Sequence, residues 1–296
     1  MAKWTEDDIP DQTGRTALIT GANSGLGLRT AQVLAAKGAT VLLGCRSTER
    51  AQKALEIVGG DSSALELDLA DLASVRAAAG RVSSLDILIN NAGIMAVPYG
   101  LTADGFERQF GTNHLGHAAL TWLLMPALRQ RPGSRVVTVA SLAHQRGYVD
   151  FDDPNFEHRR YSPANAYSQS KVANLLFARE LDRRSPDVTS IAAHPGVTRT
   201  DLTDNMASAH RSLLLKVGGR ISHLFSQSVE RGALPQLYAA TALEARGGQY
   251  YGPNGLGGAF GYPAEADMSA RARDDLGASK LWDLTAKLTG VTPDPA

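Results

Sequence analysis

The sequence has one cysteine, Cys45, so it offers no internal disulfide and no thiolate cage for a metal or an iron–sulfur cluster. It also lacks an excess of either charge, with 30 basic residues set against 30 acidic ones. Without a positive surplus to grip a phosphate backbone, nucleic acid is not an expected partner. No run approaches the roughly 18 apolar residues of a transmembrane segment. The opening residues Met1 to Asp8 are polar and acidic, with no apolar centre for a secretory leader, and the cytoplasm is the expected compartment. No internal repeat or low-complexity linker interrupts the chain.

What is present describes a globular α/β chain. Hydrophobic residues make up 43% and charged residues 20%, an ordinary globular balance. A length of 296 residues fits one large domain. After a tail of residues 1–14, strand-like and helix-like segments alternate through residues 15–296. Compact apolar runs predict strands at Arg15–Thr20, Thr40–Gly44, Ala64–Leu67, Leu85–Ile89, Arg135–Val139 and Val188–Ala192, with a short seventh at Gln249–Tyr251. Helical stretches are predicted over Leu26–Lys37, ended by Gly38, and over Asn113–Leu128; Ser47 or Thr48, and Asp71, are candidate caps for two more. Near-continuous apolar strands alternating with helices imply a Rossmann-like, doubly wound parallel sheet of about seven strands, flanked by helices in a single domain.

Two stretches carry chemistry. Between the first strand and the first helix lies Thr20-Gly-Ala-Asn-Ser-Gly-Leu-Gly27. Glycines there permit a tight turn and close backbone approach, and the helix N-terminus presents amide donors to a pyrophosphate. Gly21, Asn23, Ser24, Gly25, Leu26 and Gly27 are therefore candidate cofactor contacts. Tyr167 and Lys171 stand four apart, on one face of a helix. A phenol of pKa near ~10 is a poor acid/base at neutral pH, and a neighbouring ammonium is expected to lower it.

These two stretches, together with Asn90-Asn-Ala-Gly93, Asn113, Ser141 and Pro195-Gly196-x-x-x-Thr200, occur in the order typical of short-chain dehydrogenases/reductases, which the chain resembles. Gly44-Cys-Arg46, Thr112-Asn-His-Leu-Gly-His117 and Tyr251-Gly-Pro-Asn-Gly255 look most like the retinol-dehydrogenase-like group. The match runs from about Arg15 to the C-terminal helix. The resemblance implies a carbonyl–alcohol oxidoreductase in which Tyr167 exchanges a proton with the substrate oxygen. Lys171 would tune that phenol and hold the nicotinamide ribose, Ser141 would bind the carbonyl oxygen, and Asn113 would anchor a relay water. It also implies cofactor contacts from Asp68 and Leu69 at the adenine, from Asn90, Ala92 and Gly93 under the adenosine ribose, and from Pro195, Gly196, Val197 and Thr200 at the carboxamide.

Charge suggests which dinucleotide. An NAD site usually carries an acid at the end of the second strand, but Cys45 and Arg46 stand there. A guanidinium suits a phosphate, so NADP(H) is expected rather than NAD(H), with Arg46 and Ser47 at the 2′-phosphate. Ser24 occupies the place where many NADP-using relatives carry a second basic residue. Arg29 is close in sequence but inside the helix.

Two further segments shape the expectations. Phe151-Asp-Asp-Pro-Asn155 and His158-Arg-Arg160 belong to a polar insertion that would rim the substrate mouth or bear on homo-oligomer formation. His144, His158, Asp152 and Asp153 lack close ligand spacing, and no metal is expected. Residues from about 198 to 228 carry spaced apolar side chains with basic ones between them, as in a helix lying on a membrane or a lid over the substrate. The lid is the favoured reading and predicts a bulky apolar carbonyl or alcohol substrate. A non-catalytic dinucleotide sensor would be expected to lose Tyr167 or Lys171. A carbon–carbon double-bond reductase of the protochlorophyllide type would be expected to carry further cysteines.

Overall fold

The computed structural model describes residues 3–198 and 227–294. Thr200 and almost all of the predicted lid lie outside the described residues.

Short β-branched and apolar runs form the inner strands. β1 (Thr16–Thr20), β4 (Ile87–Asn90), β5 (Arg135–Val139) and β6 (Thr189–Ala193) are buried along nearly their whole length. β2 (Thr40–Cys45) and β3 (Ser62–Glu66) lie outside β1. Between them run α1 (Gly25–Ala36), α2 (Thr48–Val58) and α3 (Leu72–Ala79). Ser47 and Asp71 cap the last two by accepting from first-turn amides, which fixes where each helix starts. Gly38, at φ 94°, supplies the positive dihedral that turns the chain out of α1.

After β4 the chain passes through a π-helical turn, Gly111–Leu115, into α4 (Gly116–Arg129). The predicted helix from Asn113 thus opens on a wider, under-wound turn. α5 (Pro163–Arg184) begins with Ser162 as cap and Pro163 in the first turn, where its missing N–H costs nothing. α6 (Val229–Thr241), β7 (Tyr250–Gly255), β8 (Phe260–Glu265) and α7 (Asp275–Thr289) complete the described chain.

The sheet has eight strands in the order β3-β2-β1-β4-β5-β6-β7-β8. β1 to β7 are parallel, and β8 returns antiparallel to β7 with Tyr251 opposite Glu265. About seven strands were expected; the hairpin strand is the addition. Its sequence, with Gly261 and Pro263, has low strand propensity, and Pro cannot donate to a ladder.

Alternate strand residues enter different cores, as a doubly wound sheet requires. Leu18, Leu88 and Val136 join the layer containing α3, α4, α5 and α7. Ala17, Ile19, Ile89 and Val137 join the layer of α1, α2 and α6. Trp122, Phe177 and Trp282 pack ring on ring where α4, α5 and α7 meet. The chain winds outward from β1 to β3 and then restarts at β4 on the other side of β1. That reversal opens a crevice at the C-terminal ends of β1 and β4.

Candidate active site

The crevice is a cleft of about 540 Å³. Thr20 and the loop Gly21 to Gly27 form one wall, apart from the buried Ala22. Gly21 and Gly25 take φ 68° and 53°, dihedrals that suit glycine. Ser24 precedes α1 without a side-chain cap bond, which leaves first-turn amides free for a ligand. A Cβ at Gly27 would meet the Gly21 carbonyl oxygen and stand 2.6 Å from Asn91 Nδ2, so only glycine lets α1 pack this closely.

Arg46, Ser47 and Arg50 line one end of the cleft, and Leu67, Asp68 and Leu69 line its side. Both arginines are exposed. The acid beside them, Glu49, is engaged by Lys53 at 2.7 Å, and among the described residues neither guanidinium forms an ion pair. Arg50 was not singled out from the sequence, although it lies four residues after Arg46. Arg29 is not available to a cofactor: it pairs with Glu6 at 2.6 Å on the outer face of α1.

At the other end stand Tyr167 and Lys171, with Val139, Ala140 and Pro195. Lys171 is buried; its Nζ donates to the Val139 carbonyl at 2.9 Å and lies 5.6 Å from the Tyr167 ring centroid. Burial lowers its pKa to about 8. Burial also pushes the Tyr167 phenol above its ordinary value, while a hydrogen bond from Ser141 acts in the opposite direction. The expected lysine-driven lowering is therefore not what this site gives. The ammonium donates to a carbonyl, and burial in a low-dielectric pocket, which disfavours phenolate, is the largest influence on the phenol.

Asn113 sits in the π-helical turn, fully buried. Its Oδ1 accepts from Ile94 N at 2.8 Å, and its Nδ2 donates to Ile94 O and to Ser170 Oγ. Ser170 in turn donates to the Tyr167 carbonyl at 2.7 Å. Gly93 lies between the two groups: a Cβ there would stand 3.4 Å from Asn113 Oδ1 and 3.7 Å from Lys171 Nζ. Ser141 follows β5, and its Oγ also accepts from Ala143 N at 3.2 Å.

The cleft wall does not include every candidate. Ala92 and Gly93 are part of it, but Asn90 is not: its Nδ2 donates to Thr121 beneath the sheet, and Asn91 takes the place at the cleft. Asn113, Ser141, Gly196 and Val197 do not line it: Asn113 is fully buried, Ser141 and Gly196 are half-buried and Val197 is exposed. Pro195 faces the cleft, and the turn after it leans on the β7–β8 hairpin. Gly196 has φ 68°, with Ala259 O and Pro253 against it, and Val197 N donates to Ala259 O at 2.9 Å. Ile94, Met95 and Val97 add an apolar surface near Tyr167 that the sequence did not mark.

The polar insertion is held by its own hydrogen bonds. Asp153 accepts from the backbone amides of Glu157, His158 and Arg159, and the Arg159 guanidinium lies 3.6 Å from the Phe156 ring centroid. Gln169, on α5, donates to Pro154 O and ties the insertion to the helix that carries Tyr167.

The family model described as short chain dehydrogenase matches residues 15–211. Retinol dehydrogenase 13 of Homo sapiens is 40% identical over 94% of this chain and 85% of its own length. Retinol dehydrogenase 12 of Mus musculus is 40% identical over 94% and 87%. Among solved structures, an uncharacterised protein from Mycobacterium Paratuberculosis is 45% identical, with a TM-score of 0.84 and 98% of each chain covered. The Pseudomonas aeruginosa RhlG/NADP active-site complex is 25% identical, with a TM-score of 0.61, covering 80% of this chain and 94% of that one.

Proposed function

The chain belongs to the short-chain dehydrogenase family and is a carbonyl–alcohol oxidoreductase; on that premise we propose that it uses NADP(H) and acts on a bulky apolar substrate. One observation carries the reading. One cleft joins the open amides of α1 and the exposed Arg46 and Arg50 to the Tyr167–Lys171 pair.

The donor set fits a phosphorylated dinucleotide: open amides for a pyrophosphate, and guanidinium groups for a further phosphate. When bound, such a cofactor supplies or accepts the hydride. The protein handles the proton and the charge. Reduction builds negative charge on the substrate oxygen, and the phenol of Tyr167, protonated at neutral pH, can donate to it. Ser141 faces the same hydroxyl and adds a fixed dipole. A lysine of pKa about 8 remains mostly cationic at neutral pH, so proton loss from Tyr167 occurs beside a positive charge.

The NADP(H) assignment rests on the paired arginines and on the missing carboxylate after β2. The RhlG neighbour, described as an NADP complex, is consistent with it. Ile94, Met95 and Val97 favour an apolar substrate, and the relatives named retinol dehydrogenases make a long-chain primary alcohol or its aldehyde the first class to try. No helix among the described residues is long and apolar enough to cross a membrane.

A screen of NADPH and NADH oxidation against aldehydes and ketones of increasing size, retinal included, tests the proposal. Turnover with large apolar carbonyls and NADPH is expected. Activity confined to NADH or to small polar carbonyls would overturn it.

A further inference from the structure

A hydrogen-bond chain under the cleft includes a residue that the acid/base set does not require. His117 lies in the first turn of α4 and is 2% exposed. Its Nδ1 meets the Asn113 carbonyl oxygen at 3.0 Å, and its Nε2 meets the Thr20 hydroxyl at 2.8 Å. A carbonyl only accepts, so Nδ1 carries the proton. Burial, with the nearby positive charge of Lys171, lowers the imidazole pKa to about 4; His114, buried and neutral, is the other titratable neighbour. The ring is then neutral, and Nε2 offers a lone pair.

Thr20 completes the assignment. Its hydroxyl oxygen accepts from the amides of Asn91 at 3.0 Å and Ala92 at 2.9 Å. Its own proton is left to donate, and His117 Nε2 is closer than the alternative acceptor, Ile89 O at 3.4 Å. An unbroken series of bonds therefore runs from the Asn91–Ala92 turn through Thr20 and His117 to Asn113. From there it continues through Ser170 to Tyr167 on the catalytic helix. Thr20 immediately precedes the glycine-rich loop. A shift of the ring would be felt at the cofactor wall and at the acid/base helix together.

We propose that His117, held as the neutral Nδ1–H imidazole, is a positioning residue that fixes the glycine-rich loop and the Asn91–Ala92 turn against the catalytic helix, and so sets affinity for the dinucleotide. This rests on the reading of the cleft as a dinucleotide site.

Three variants separate the two bonds. His117→Gln places an amide group where Nε2 stood and keeps an acceptor for Thr20. His117→Asn places one where Nδ1 stood and keeps only the link to Asn113. His117→Leu keeps neither. NADPH affinity is read by fluorescence titration, without turnover. The Leu and Asn variants are expected to bind about tenfold more weakly, the scale of one buried hydrogen bond, and the Gln variant within about threefold of wild type. Equal affinity in all four proteins, or a Gln variant as weak as Leu, overturns the proposal. If the Leu variant does not fold, the imidazole ¹⁵N spectrum of the wild-type protein between pH 6 and 8 decides: an Nε2–H tautomer or a charged ring refutes it. A wild type that binds neither dinucleotide removes the proposed function itself, an outcome distinct from unchanged variants.

Discussion

Replacing Arg46 and Arg50 by alanine, singly and together, tests the cofactor assignment most directly. Both side chains are exposed at the cleft mouth, so the relevant energies lie between the bulk-water and surface limits. For unit charges at ~4 Å those limits are about 1 and about 4 kcal/mol. The exposure of both arginines places each contact nearer the lower limit, about 1–2 kcal/mol, or a roughly 5- to 30-fold rise in KM for NADPH. The double variant should lose the product of the two factors or somewhat less, since neighbouring groups couple. NADH lacks the 2′-phosphate, so its KM should stay within about twofold. Initial rates with both cofactors at two salt concentrations provide the assay, with the NADPH effect shrinking at the higher one. Equal losses for NADPH and NADH would show that the arginines only support the fold. No loss for either would place the phosphate elsewhere.

Other outcomes follow from the same geometry. Tyr167→Phe should reduce kcat by about 10² to 10⁴, with NADPH affinity nearly unchanged; retained turnover would dismiss the phenol as the proton donor. Gly27→Ala forces a methyl into the Gly21 carbonyl and should cost about 1–3 kcal/mol of stability and weaken NADPH binding, as read by urea denaturation and fluorescence titration. His114 and His194 are buried with pKa values pushed down to about 3, and His117 to about 4, against 6.5 in the unfolded chain. Between those values the unfolded state binds more protons, so this part of the stability is complete above about pH 6.5 and falls as the pH drops toward 4. Urea midpoints across pH 4–8 check it, and a flat profile would mean that the imidazoles are not buried neutral.

Much of the architecture was legible because its signals are local. β1, β2 and β5 are dense apolar runs, and Gly38, Ser47 and Asp71 mark helix ends by their own chemistry. The same holds for Tyr167 and Lys171, whose spacing on one helix turn places them together. What failed to show depends on distant partners or on parity. β8 is a glycine- and proline-bearing strand that exists because β7 offers it an edge. Asn90 and Asn91 are adjacent in sequence, yet strand alternation sends the first beneath the sheet and the second to the cleft. The bond between Thr20 and His117 spans 97 positions, beyond any reading of periodicity. The lowered phenol pKa was not seen for a similar reason: burial, set by the surrounding fold, raises the Tyr167 phenol, and the Lys171 ammonium donates to Val139 O, 32 positions away.

The hairpin at the sheet margin has a consequence for how such a protein could diversify. Its connecting loop supports Gly196 and Val197, whereas Lys171 is tied to β5 at Val139 and Asn113 to α5 at Ser170. Lengthening or trimming residues between Gly255 and Phe260 should move the turn after Pro195 and leave the Tyr167–Lys171 pair in place. That turn and the Tyr167–Lys171 pair are thus mounted on separate supports, and the first can drift while the second stands still.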